Sequence, residues 1–284
     1  MLIRCWAFCV VLAAAAVAAP TAFGHGVPSS GDTVGGTATP KPTTDPQQAA
    51  TGTQKPTVAV GQNAKATRGF FPALAHNLGD DVKHIPRRNS AYWVAGGAAL
   101  ALAVHPIDKD LNSHLVGHSN PFVAGEVIGE TATILGAAGA TYIFGRAKGH
   151  TRLQHLGMDE IEAALLAEGI AQGAKQVFRR DRPLNPDGTK QSGFSFPSGH
   201  ATVTFAAATV LQQHLGYRAG VPTYLIASYV AVSRLHDNRH YASDVVMGAA
   251  TGIIIGRSVT WHGRNFYGSL IPGGVGVTVA AHNN

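Results

Sequence analysis

Cysteine is almost missing from this chain: there are two, Cys5 and Cys9, and none follows. Disulfide stapling, cysteine nucleophiles and thiolate metal ligands are therefore excluded beyond residue 9, and any fold must be held by its core alone. Charge is sparse as well, at 13% Asp, Glu, Lys and Arg. The 22 basic against 16 acidic residues form no dense Lys/Arg stripe interleaved with aromatics. That excludes a nucleic-acid footprint and leaves a mild bias toward anionic substrates or surfaces. Long apolar runs are also lacking. The longest block, Phe122 to Gly145, carries Glu126 and Glu130. With a mean hydropathy of +0.06, such blocks are expected to be helices of a soluble core rather than lipid-spanning segments.

What is present divides into three parts. Met1 to Arg4 give a short basic start, Cys5 to Ala19 an apolar run, and small residues follow. Residues 1–24 thus read as a secretory signal, since 15 apolar residues fall short of the ~20 that span a bilayer. Cleavage there removes Arg4, so the formal charge of +6 drops by one. Residues 25–67, rich in Gly, Pro, Ser and Thr, cannot bury enough surface to offset chain entropy and read as a disordered linker. Residues 68–284 form the expected folded domain, in a protein expected to be periplasmic or secreted, with membrane association as the alternative.

Within that domain, Ala/Gly/Val/Leu-rich blocks separated by Pro, Asn, Asp or Gly predict helices near 91–104, 122–145, 158–180, 199–215, 219–233 and 241–257. The fold class is all-α, a bundle of about six core helices. In the block from Met158, acids at Asp159, Glu160 and Glu162 precede bases at Lys175, Arg179 and Arg180, as a helix macrodipole favours. The tail, with β-formers on either side of Pro272-Gly273-Gly274, is a candidate β-hairpin.

Three clusters could carry chemistry. Lys175 and Arg182 are seven apart, two helical turns, so both can project from one side of a helix that Pro183 ends, and two cations suit a multiply charged anion. The bland alternative is a basic helix end satisfying its last carbonyls. Phe196-Pro197-Ser198-Gly199-His200 precedes an apolar run. Free N–H groups at that helix start would make an anion cradle, with His200 beside it, and the alternative is a plain N-cap. In Ser233-Arg234-Leu235-His236-Asp237-Asn238-Arg239-His240 a helix is expected to end near Leu235 and another to begin around His240. Asp244 then lies one turn on, able to fix the tautomer of His240 and turn its other ring nitrogen outward; otherwise it only complements the helix start. His236 falls in the break and has no assigned partner. His114 and His118 have the i, i+4 spacing of metal ligands, but no acidic third ligand accompanies them.

In order, these residues read Lys175-x6-Arg182-Pro183, then after 13 residues Pro197-Ser198-Gly199-His200, then after 32 more Ser233-Arg234-x5-His240-x3-Asp244. This resembles the signature of the type-2 phosphatidic acid phosphatase and vanadium haloperoxidase superfamily, with all eleven fixed letters present. The resemblance implies a helical, metal-independent phosphohydrolase working through a phosphohistidine, with no cofactor. It implies His240 as nucleophile, Asp244 as its orienting carboxylate and His200 as the acid for the leaving oxygen. Lys175, Arg182, Ser198, Gly199 and Arg234 become the phosphate-binding groups. One histidine is then expected neutral and the other protonated. The substrate is expected to be a phosphomonoester or a lipid (di)phosphate. A vanadate-holding haloperoxidase, or a non-catalytic module for phosphate or anionic lipid, are the competing readings.

Overall fold

The computed structural model describes residues 70–117, 122–260, 266–271 and 274–279. The expected signal segment, the linker and His118 lie outside the described residues. Nine α-helices occur among them. These are α1 (Phe70–His84), α2 (Arg88–Val104), α3 (Asp108–Leu115), α4 (Val123–Ile128) and α5 (Thr131–Lys148), then α6 (Thr151–Phe178), α7 (Gly199–Leu215), α8 (Tyr217–His236) and α9 (Ala242–Val259). A 3-10 turn, His105–Ile107, joins α2 to α3. Strands β1 (Phe266–Ile271) and β2 (Gly274–Val279) pair antiparallel, with Phe266 opposite Val279, so the tail forms the hairpin its composition predicts.

The core lies between α7, α8 and α9, where Phe205, Tyr224, Val232, Leu235, Val245 and Ile253 are buried. A second cluster joins α6 to α7 and α9 through Leu156, Ala163, Val203, Val210 and Ile255. Small residues set how closely these helices approach. Gly248, Gly252 and Gly256 recur every four residues and so line one face of α9. A Cβ on Gly248 would meet Ser198 O at 2.7 Å, one on Gly252 would strike Thr202 O, and one on Gly256 would meet Ala206 O at 2.6 Å. Backbone therefore packs on backbone along α7, and the starts of both helices are held side by side. The bond from Ser198 N–H to Asp244 O, 3.0 Å, ties those two starts directly.

Two predicted helices differ most in extent. The block 122–145 is two helices, because Glu130 is extended (φ −72, ψ 134). At the break, a Cβ on Gly129 would strike Val230 and lie 2.8 Å from the His200 ring. The helix predicted from 158 begins at Thr151, so Glu160 and Glu162 sit in its third turn, buried, and do not serve its N-terminus. It also ends at Phe178, where Arg179 takes a left-handed conformation (φ 46), rather than at Pro183. Helices α1 and α3 have no counterpart among the predicted blocks, since their polar residues interrupt the apolar pattern.

Among the described residues, two helical stretches are long and apolar enough to cross a membrane by length and composition. One, Ala242–Val259, is 83% buried among its neighbours and is a core helix, as expected. The other, Ser90–Leu115, is only 11% buried and exposes Tyr92, Leu100 and Leu102. This stretch is divided: Ala101 and Leu115 are buried and Trp93 and Val104 pack against the core, whereas Tyr92, Leu100 and Leu102 face outward.

Candidate active site

The three clusters meet around the starts of α7 and α9. His240 precedes α9 rather than lying within it. The chain there is fixed by bonds from Arg239 N–H and His240 N–H to Arg234 O, at 3.0 and 3.3 Å. Asp244, fully buried, closes a capping box in which its Oδ2 accepts from Tyr241 N–H at 2.8 Å. Thus the carboxylate that faces His240 also caps the helix. Of the two expected alternatives for Asp244, the helix-start role is seen directly, and the carboxylate also faces His240. His240 Nδ1 lies 3.8 Å from Asp244 Oδ2, with Ser195 Oγ between them, 3.4 Å from Nδ1 and hydrogen-bonded to Oδ2.

Lys175 and Arg182 reach the same site from different backbone. Lys175 stands in the last turn of α6, whereas Arg182 follows the left-handed Arg179. They do not share a helix face as their spacing predicts. A Cβ on Gly199 would lie 3.7 Å from Lys175 Nζ, so a side chain there would enter the space the ammonium faces. Arg234, buried near the end of α8, donates from NH2 to Asp237 Oδ2 at 2.7 Å and from Nε to Ser233 Oγ at 3.2 Å. Arg182 Nε, Ser198 Oγ and His200 Nε2 are all buried without a hydrogen-bond partner. Buried polar groups are nearly always paired, so three orphans at one place mark a site built for a polar ligand.

The electrostatics suit an anion. Burial, then Arg182, pushes the Lys175 ammonium down, partly offset by Glu168 and Asp244. His200 is lowered to about 4, first by burial and then by Arg234, His240 and Lys175, against a hydrogen bond to the Glu126 backbone carbonyl. A carbonyl only accepts, so the ring nitrogen facing it carries hydrogen, and Nε2 is the position that gains or loses a proton. Burial also lowers His240, opposed by Asp244 and aided by Lys175 and Arg182. Burial works to raise the Asp244 carboxyl, but His240, Arg180 and Ser195 outweigh it and leave it below its usual value. Both imidazoles are therefore held toward neutrality. The expectation is one neutral and one protonated ring; both are lowered, first by burial and then by neighbouring cations, and only the second part could be balanced by an anion.

His236 is buried and packs on Phe122, ring centroids 4.7 Å apart, with Nδ1 3.5 Å from Asp237 Oδ1. It belongs to the packing of α8 against α4. His114 is exposed and its Nδ1 faces Asp110 O at 2.7 Å. Among the described residues, no group of three or more His, Cys, Asp or Glu is placed to hold a metal ion. Sequence reasoning missed Ser195, Arg180 and Asp108. Ser195 lies two residues before the Pro-Ser-Gly-His run, where its proximity was the available signal. Arg180 was visible only as part of an Arg-rich helix end, and nothing in the sequence links Asp108 to residues more than 70 positions away.

Fold and site together define a helical domain in which Lys175, Arg182 and Arg234 are brought near two histidines. Residues 158–267 match the model of the PAP2 superfamily. Over 106 residues the chain is 41% identical to a lipid A 1-phosphatase of Porphyromonas gingivalis, covering 36% of this chain and 22% of that one. Over 90 residues it is 47% identical to a decaprenylphosphoryl-5-phosphoribose phosphatase of Mycolicibacterium smegmatis, covering 30% and 48%. The chain thus spans about half or less of the length of these two relatives. Among solved structures, a transmembrane PAP2-type phosphatidylglycerolphosphate phosphatase from Bacillus subtilis is similar at a TM-score of 0.45 and 22% identity, over 61% of this chain and 95% of that one.

Proposed function

We propose that the protein is a metal-independent phosphohydrolase that removes a terminal phosphate from a lipid phosphate or diphosphate through a phosphohistidine. The observation that carries this is the set of buried orphan atoms, Arg182 Nε, Ser198 Oγ and His200 Nε2, beside a buried His240 backed by Asp244. Lys175, Arg182, Arg234, Ser198 and the N–H groups at the start of α7 would bind the phosphoryl oxygens. Charge develops there in the transition state, and such fixed donors stabilise it. The free nitrogen of His240 attacks phosphorus and the bond to the leaving oxygen breaks, while His200 gives that oxygen its proton. The positive charge on the phosphorylated ring faces Asp244. His200 then takes a proton from water, the water oxygen attacks phosphorus, and the P–N bond breaks to release phosphate and restore His240.

Low proton affinity in His200 fits this sequence. Burial is the main cause that holds the ring neutral, and the Arg234 and Lys175 charges add to it; a bound phosphate offsets that second part and so shifts the ring toward protonation. A binding-only module has no use for a nucleophile paired with an acid.

The lipid substrate is inferred from three features. The two curated relatives are named for lipid-linked phosphates. The Ser90–Leu115 stretch exposes an apolar face suited to membrane association. An apolar cleft of about 270 Å³, lined by Tyr92, Trp93, Gly96, Leu100, Phe205 and Ala250, runs between α2 and α9. The test is phosphate release from full-length protein in chelator, on a polyprenyl diphosphate, phosphatidate and a sugar phosphate. Activity on the lipids that is abolished in His240→Ala supports the reading, and full activity in His240→Ala removes it. Vanadate should inhibit competitively because its trigonal-bipyramidal form imitates the transition state. Peroxide-dependent halide oxidation after vanadate addition, without hydrolysis, would favour a haloperoxidase.

A further inference from the structure

We propose that Arg180, anchored by Asp108, is a positioning residue that holds Asp244 in place behind His240. This inference rests on the assignment of His240 as the nucleophile. Arg180 lies outside every fixed position of the motif, yet its guanidinium bridges two buried carboxylates. NH1 donates to Asp244 Oδ1 at 2.6 Å and to Ser243 Oγ at 2.7 Å, and NH2 donates to Asp108 Oδ2 at 2.8 Å. The guanidinium also stacks over the Tyr241 ring, 4.3 Å from its centroid. Asp108, 2% exposed, accepts from Ser243 N–H at 2.9 Å and from the Ser243 hydroxyl. Tyr241, Ser243 and Asp244, in the segment that follows His240, are thereby gripped from one side by a pair contributed by α3 and by the segment after α6.

The division of labour at Asp244 gives the arrangement its chemical meaning. One carboxylate oxygen, Oδ1, is held by Arg180, and the other, Oδ2, faces Ser195 and His240. Fixing the first oxygen fixes the direction of the second, as partners of a ligating or catalytic group commonly do. Arg180 also draws charge from Asp244, which weakens the pull of the carboxylate on a proton at His240. The groups facing Asp244 are Arg180, Ser195 and His240, with Lys175 and Arg182 beyond them. Those facing His240 are Asp244, Ser195, Lys175, Arg182 and His200, and those facing Arg180 are Asp108, Asp244, Tyr241 and His105, whose Nδ1 lies 3.2 Å from NH2. Removing Arg180 leaves Asp244 with its full charge toward His240. The imidazole then keeps its proton to higher pH, and a ring that must be neutral to attack becomes available later.

The test uses full-length protein and a chromogenic aryl phosphate, with pH profiles of kcat and kcat/KM for Arg180→Gln, Arg180→Lys, Asp108→Asn and His240→Ala. Arg180→Gln should lose about 10- to 100-fold in kcat with KM nearly unchanged, and its acid limb should move to higher pH. Arg180→Lys should recover part of the rate and return the limb toward its original position. If Arg180→Gln does not fold, Asp108→Asn carries the measurement: kcat should fall and the acid limb should move to lower pH, because Arg180 is then shared with no second carboxylate. An inactive His240→Ala together with unmoved limbs in the folded variants would overturn the positioning role. Activity in His240→Ala would overturn the assignment of the nucleophile itself.

Discussion

The helices that carry the site and the helices that precede them are built on opposite plans. In α6 to α9, buried polar groups are concentrated where glycines let backbones touch, and Asp244, His240, Ser198, Lys175 and Arg234 are almost wholly inside. In α1 to α3, large apolar side chains are turned outward, with Leu102 71% and Tyr92 74% exposed, and Asp108 is the residue of that region that joins the Arg180 network. Enclosed polar groups in the first region need a rigid surround, because each misplaced donor costs most where water cannot substitute. Outward apolar surface in the second calls for an apolar environment or partner. The difference teaches that enclosed polar groups and outward apolar surface are assigned to different parts of one helical unit.

The largest effect should come from breaking the backbone contact that unites the site. Gly252→Leu places side-chain atoms against Thr202 O and should destabilise the protein by at least ~3 kcal/mol, read as a fall in Tm with loss of activity. A variant that melts like wild type would show that α7 and α9 are free to separate. Next comes the seam between the two regions. Glu162 on α6 accepts from Asn77 Nδ2 of α1 at 2.8 Å and faces Asp81. Burial is the main cause that raises it to about 8 from 4.5. Here the folded protein binds the proton more tightly than the unfolded chain, so the stabilisation is complete below 4.5 and is lost as pH rises through 8. Glu162→Gln should flatten that decline by a few kcal/mol, seen as a higher Tm at alkaline pH and little change at pH near 4. An unchanged pH dependence would mean the carboxyl is already ionised.

A smaller effect concerns the site alone. Because His200 is lowered to about 4 without ligand, and protonation is required for its role as acid, the alkaline limb of kcat/KM should lie well on the acid side. The limb of kcat should lie at higher pH, since bound phosphate restores the proton. Coincident limbs would contradict the coupling of anion and proton. In the outer region, Gly96 lines the apolar cleft, and a Cβ on it would meet nothing within 4 Å. Gly96→Leu should raise KM for long-chain phosphates by about 10-fold and leave a short aryl phosphate untouched. Smallest of all, Leu102→Ser should change stability in detergent-free buffer by no more than about 0.5 kcal/mol while reducing vesicle association.

Much of this was legible in the residue order. The helix Gly199–Leu215 was predictable end to end because Pro197-Ser198 precedes it and Gly216 stops it. The motif residues could be named because their spacing is fixed within 70 positions. What could not be read was set by tertiary contacts. Glu160 and Glu162 looked like helix-start acids because burial within the fold has no local signature. Arg179, a left-handed residue that is not glycine, ended α6 before Pro183 could. Asp108 and Arg180 are joined only after α3 folds against the start of α9. Which face of α2 is exposed has no local signature, because Ala-rich composition suits a core helix and a surface in apolar surroundings equally well.

The central claim is a covalent bond between phosphorus and His240. Rapid quenching of full-length protein into alkali during turnover of a phosphorus-labelled substrate, followed by peptide mapping, tests it most directly. Label on the peptide containing His240, approaching one equivalent per chain at saturating substrate and absent in His240→Ala, is the predicted result. Turnover with no label on His240, or label that persists in His240→Ala, would contradict the account.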